Sequence, residues 1–162
     1  MKYCPLCTSH LELRLLDQQE RSCCTNPDCS YVYWNNPIPV VGIIIETSEG
    51  IVLAHNKLMP EGMFSIITGF LEAKESPAYA AERELKEELG LNSISTTLIG
   101  AYSIEKANQV LIIYHIEAEG TILLNEELDA YKIVAKEELL GWNSSMRFEV
   151  EEWIRNFKVL AD

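Results

Sequence analysis

The segment from Gly69 to Leu91, GFLEAKESPAYAAERELKEELGL, sets Glu82, Glu84, Glu87 and Glu88 inside what its own punctuation marks as one helix. Ser76 is a good N-cap, Pro77 suits the first helical position, and Gly90 fits the left-handed residue after the last turn. Ala78, Ala81, Leu85 and Leu89 form an apolar stripe that can pack on a sheet. Glu84, Glu87 and Glu88 stand at i, i+3 and i+4, so all three share another face. Like charges at that spacing cost about 0.2–0.5 kcal/mol per pair. A hard divalent cation such as magnesium wants oxygen ligands and would turn that repulsion into attraction. Arg83 can pair with Glu75 in the preceding loop or orient a helical carboxylate, and Glu82 reads as solvated surface.

The flanking sequence supplies a sheet for the apolar stripe. Val40 to Glu46 (VVGIIIE) is an apolar, β-branched run that predicts a buried strand, and Thr47 to Gly50 a turn into a hairpin partner, Ile51 to His55. Further strands are expected at 64–68, 96–102 and 110–116, with a short one at Ile133-Val134; 69–75 is expected as loop. Met146, Val150, Trp153, Ile154 and Phe157 recur at helical spacing and predict a C-terminal helix whose stripe packs on the core. Strands with two helices on a mixed sheet give an α/β or α+β class.

All five cysteines fall between Cys4 and Cys29, as CPLC and CCTNPDC. Cys4 and Cys7 have the spacing of a zinc knuckle; Cys24 and Cys29 make a looser second pair, with Cys23 as the alternative to Cys24 and His10 as a weaker substitute. Four thiolates close a tetrahedral shell, which makes such a zinc structural rather than catalytic. LELRLL and the polar residues after it predict a hairpin between the pairs, and the Asn-Pro and Pro-Ile-Pro steps after Trp34 mark a boundary. The expected organisation is a zinc-ribbon module over 1–36 and a second domain over 37–162.

The net charge is -12 for 162 residues. Duplex nucleic acid is held mainly by cations on the protein, so this balance argues against nucleic-acid binding, although divalent cations can bridge an acidic site to a small phosphorylated molecule. No run of about 20 apolar residues is present and the N-terminus lacks a secretory pattern, so a cytoplasmic protein without a membrane partner is expected.

Gly69, Glu75, Arg83, Glu84, Leu85, Glu87, Glu88, Gly90 and Leu91 fit the pattern G-x5-E-x7-R-E-U-x-E-E-x-G-U, where U is a bulky aliphatic residue. This resembles the signature of the Nudix hydrolases, and nine fixed positions make the match highly specific. The resemblance implies the Nudix α/β/α sandwich with a mixed sheet. It also implies a pyrophosphohydrolase that cleaves a nucleoside diphosphate linked to another moiety. It further implies magnesium or manganese held by Glu84, Glu87, Glu88 and a backbone carbonyl at Thr68 or Gly69, with Arg83 as a brace. The resemblance also implies a later acid as ligand or base, for which Glu127 fits best, with Glu126 and Glu105 as rivals.

The four cysteines followed by NNPIPVVG resemble the zinc-ribbon subgroup, which includes diphosphatases for NADH, FAD and ADP-ribose. The Ser-Gln-Pro-Trp-Pro-Phe-Pro-like segment of the NADH enzymes is absent, and Ile104 to Val110 looks closer to the FAD and ADP-ribose group, so FAD or ADP-ribose is expected ahead of NADH. Phe70, Gln109 and Trp34 are candidate substrate contacts, with Tyr33, Lys57 and Lys106 behind them. Proteins resembling this one often form homodimers. The rival readings are a non-catalytic adaptor on a Nudix-like fold and a hydrolase acting on RNA 5′ ends.

Overall fold

In the computed structural model, residues 1–136 and Glu138 are described, so the expected C-terminal helix lies outside the described residues. The chain separates into two compact units, Met1–Pro37 and a second beginning at Ile38.

The first unit is a three-stranded antiparallel sheet in the order β1 (Leu11–Leu16), β2 (Gln19–Cys24), β3 (Val32–Tyr33). The expected hairpin is β1–β2, turned by Asp17 and Gln18, both with positive φ (51° and 64°), the pair of left-handed residues that matches strand twist in a two-residue loop. Cys23 and Cys24 are successive residues of β2 and therefore face opposite sides of the sheet. Trp34 lies under the Arg21 guanidinium at 4.6 Å, and Arg21 Nη1 also donates to the Trp34 carbonyl (3.0 Å).

The second unit is built on β4 (Ile38–Thr47), whose apolar run is buried from Val40 to Ile45. It runs in a mixed sheet with β5 (Gly50–Asn56), β6 (Ile67–Phe70), β7 (Asn92–Ile104), β8 (Gln109–Glu119) and β9 (Leu128–Val134), in the order β7-β8-β4-β5-β9 with β6 also on β4. β8 pairs in parallel along β4 from Ile38 to Glu46. The other edge of β4 is shared: β6 takes Val40 to Ile43, and β5 takes Ile45 to Thr47.

Helix α1 (Pro77–Leu89) covers one face. Val41, Ile43 and Ile45 of β4 point to it and pack with Ala80, Ala81, Leu85 and Leu89. Val40 and Ile44, at the alternate positions, pack on the other face with Leu53, Ile66, Leu111 and Ile113. Burial on both faces explains why VVGIIIE reads as a continuous apolar run rather than an alternating one.

β4, β7 and β8 run longer at both ends than expected, and three further differences have a physical cause or lacked a signal. Gly69 and Phe70 belong to β6, because their backbones pair with Val41 and Val40. β9 begins at Leu128 rather than near Ile133, and β3 had no sequence signal.

Candidate active site

Helix α1 starts and stops as its sequence dictates. The Ser76 hydroxyl accepts from the Tyr79 amide (3.3 Å), and Gly90 takes φ 70° and returns its amide to the Lys86 carbonyl (3.0 Å). These caps fix the phase of the helix and so fix which face its acids share.

Arg83 stands at the centre of that face. Its Nε and Nη2 donate to the two oxygens of Glu75 (2.7 and 3.1 Å), its Nη1 donates to Glu84 and Glu87 (2.9 Å each), and Nη2 reaches the Phe70 carbonyl (3.1 Å). The Arg83 side chain is 21% exposed and that of Glu75 6% exposed, so the bidentate pair between them is a strong one. The Arg83 guanidinium, with the Glu72 amide behind it, holds the Glu75 carboxyl below the usual range, and Glu75 in turn raises Arg83 above its ordinary value. Arg83 therefore answers the repulsion at Glu84 and Glu87, and ties β6 to the helix. Burial pushes the Glu84 carboxyl up even so.

Glu88 has no such cation. It is 8% exposed, and among the described residues its carboxylate has no hydrogen-bond or ion-pair partner. Burial first, then the charges of Glu84, Glu127 and Glu87, push it up to about 7. Glu88 and Glu127 line one cavity of about 310 Å³, together with Asn56, Leu58, Met59 and Thr68. Glu127 is delivered there by Asn125, whose side-chain oxygen accepts from the backbone amides of Glu127 (3.0 Å) and Leu128 (3.2 Å) while its backbone N–H donates to the Glu88 carbonyl (3.1 Å).

Gly69 shows how closely sheet and helix approach. A Cβ at Gly69 would lie 2.1 Å from the Glu84 carboxyl, so any side chain there would displace that carboxylate. Hard divalent cations take oxygen ligands, and this face offers the carboxylates of Glu84 and Glu87 and that of Glu88, which has no donor among the described residues. Among the described residues the four thiols of the first unit converge on one point and the helix carboxylates do not; Arg83 Nη1 holds Glu84 and Glu87 at 2.9 Å each.

Of the other expected residues, Glu126 and Glu105 are exposed and outside the cavity lining, Glu105 in a single 3₁₀ turn before β8. Gln109 opens β8, opposite Ile38 and Ile104, and does not line the cavity; Phe70 is 58% exposed. Trp34 and Tyr33 belong to the first unit. Lys57 donates from its backbone to the Glu127 carbonyl (3.0 Å) and from Nζ to that of Glu126. Asn56, Met59 and Asn125 were not foreseen; for Asn125 a signal existed, since Asn before a strand favours a turn closed by its own side chain.

In the first unit the Sγ atoms of Cys4, Cys7, Cys24 and Cys29 lie within 4.8 Å of one another, with Cys4–Cys29 at 3.8 Å and Cys7–Cys24 at 3.4 Å. A tetrahedron with zinc–sulfur bonds of about 2.3 Å has sulfur–sulfur edges of about 3.8 Å, so the set fits a structural zinc. Burial pushes the Cys24 thiol up to about 12, a proton that a bound cation would release. Cys23 is outside the set, its thiol on the Arg21 carbonyl (3.6 Å), and His10 stacks on Tyr3 at 4.7 Å.

Comparison with known proteins identifies the domain and its fold. The model of the NUDIX domain matches residues 36–157. The chain is 28% identical over 101 residues to the NAD-capped RNA hydrolase NudC of Vibrio atlanticus (strain LGP32), covering 62% of this chain and 36% of that protein. It is 23% identical over 127 residues to the NAD-capped RNA hydrolase NudC of Pseudomonas aeruginosa (strain LESB58), covering 78% of this chain and 44% of that protein. The chain thus spans less than half the length of these relatives. A crystal structure of a NUDIX hydrolase from Nitrosomonas europaea superposes with a TM-score of 0.76 at 22% identity, over 94% of this chain and 92% of that one, a likeness of fold.

Proposed function

The chain belongs to the NUDIX family of diphosphate hydrolases, and from that premise we propose that it hydrolyses the diphosphate of a nucleoside diphosphate linked to a second moiety, using a divalent cation held on α1. The observation that carries this reading is Glu88, a buried acid with no donor among the described residues, lining one cavity with Glu127.

Glu84, Glu87 and Glu88, with the backbone carbonyl of Gly69, are the residues that would hold magnesium or manganese. When bound, the cation supplies Lewis acidity toward the phosphates and lowers the pKa of water. Glu127 sits at the exposed lip of the cavity, where it can accept a proton from an attacking water or add a ligand. Arg83, committed to Glu75, Glu84 and Glu87, fixes two carboxylates and the β6 backbone, which keeps their geometry preorganised. Cys4, Cys7, Cys24 and Cys29 would hold a structural zinc in a ribbon whose boundary we set near Asn36.

FAD, ADP-ribose and NADH share the ADP-linked diphosphate that this reading requires. The curated relatives are named for NAD-capped RNA, which adds a capped RNA to the candidates. Among the described residues no helix is long and apolar enough to cross a membrane. The test is a hydrolysis panel of FAD, ADP-ribose, NADH, an NAD-capped RNA and a nucleoside triphosphate, with magnesium and with EDTA. At least one diphosphate-linked dinucleotide or sugar should be cleaved with magnesium and none with EDTA. Cleavage unaffected by EDTA would overturn the role of the cation, and no cleavage of any member would overturn the proposal and favour a binding role.

A further inference from the structure

His55 lies outside the signature helix, yet it joins the two segments that frame the cavity. It is the penultimate residue of β5, 9% exposed. Its Nδ1 lies 2.6 Å from Asp129 Oδ1 and its Nε2 3.2 Å from the Pro60 carbonyl. A carbonyl oxygen only accepts, and so does an ionised carboxylate; both ring nitrogens must therefore donate, which requires the imidazolium. Asp129 reinforces that state and burial opposes it; Glu61 is the other charge acting on the ring, and the Phe64 ring packs 5.9 Å away.

The place of this contact gives it a consequence. His55 pairs with Ala130 of β9 and Asn56 with Leu128, so Asp129 is the extra residue of a β-bulge. That bulge follows directly on Glu127 and Leu128, and Pro60 follows directly on Leu58 and Met59, all four of which line the cavity with Glu88. The imidazolium thus fastens the β9 bulge that follows Glu127 to the loop that carries Leu58 and Met59.

We infer that His55, through Asp129 and the Pro60 carbonyl, is a positioning residue: it holds Glu127 and the Leu58–Met59 wall in register with Glu88. This rests on the proposed hydrolytic reading for its catalytic consequence, while the clamp has a readout of its own. Disturbing such a support typically costs about 10–100-fold in activity or metal affinity.

The test uses the full chain, with the 47%-exposed Asp129 side chain as the variant that keeps the core intact if His55→Leu fails to fold. Nitrogen-15 histidine NMR near pH 7 should show both His55 ring nitrogens protonated in the parent and a neutral ring in Asp129→Leu. On the best substrate of the panel, Asp129→Leu and His55→Leu should lower kcat at least tenfold per folded molecule with KM within about threefold. Asp129→Asn should restore most of it, and the double Leu variant should lose no more than either single one. A neutral His55 in the parent, or parental kcat in folded Asp129→Leu, would overturn the inference. A parent inactive on the whole panel would sink the hydrolytic reading, and the NMR result would still decide the clamp.

Discussion

Glu88→Gln is expected to lower kcat by about two to three orders of magnitude, the scale on which loss of one preorganised electrostatic group acts, while the metal-free protein becomes more stable. The two effects share one cause. Burial raises the Glu88 carboxyl from the ordinary 4.5 to about 7, so the folded protein binds a proton that the unfolded chain has released. The cost is absent below pH 4.5, grows between 4.5 and about 7, and is complete above that. Glutamine removes it, a gain of about 3 kcal/mol at most at pH 8, or several degrees in Tm. Calorimetry in EDTA at pH 4 and pH 8 checks the sign: the variant should melt above the parent only at pH 8. Saturating magnesium should erase or reverse the difference, because the cation stabilises only the parent's carboxylate cluster. Parental turnover in Glu88→Gln would remove Glu88 from the mechanism.

The second large effect is expected at the cysteines. Cys24→Ser should reduce bound zinc from about one per chain to none and unfold the first unit. A unit of this size buries too little apolar surface to fold unaided, and structural zinc supplies roughly 10–16 kcal/mol of apparent binding energy in zinc-finger peptides. Cys23→Ser should keep the zinc, because Cys23 lies on the other face of β2 with its thiol on the Arg21 carbonyl. Metal analysis and limited proteolysis separate the outcomes. Equal zinc content in the two variants, or a Cys24→Ser chain whose first unit stays protease-resistant, would contradict the tetrahedral set.

What the sequence disclosed follows the range of the interactions involved. Helix α1 was legible to the residue because Ser76, Pro77 and Gly90 act within one turn of the backbone. The acidic face and the pairing of Arg83 with Glu75 were legible for the same reason, eight residues apart. The cysteine set was legible in composition, but the choice of Cys24 over Cys23 needed the strand alternation of β2, fixed by its pairing with β1. β6 was misplaced toward Phe64 because Gly69 and Phe70 become strand only through the distant Val41 and Val40. The Glu88–Glu127 cavity and the contact of His55 with Asp129, 74 residues away, depend on the β5–β9 register and leave no local trace. The C-terminal stripe from Met146 to Phe157 lies outside the described residues.

Manganese binding followed by electron paramagnetic resonance, in the parent and in Glu88→Gln, bears most directly on the central claim that the carboxylates of α1, with Glu127, form a cation site. Saturable uptake of manganese by the parent, competed by magnesium and weakened at least tenfold in the variant, is the predicted result. Equal uptake in both proteins, or none in the parent, would contradict the account.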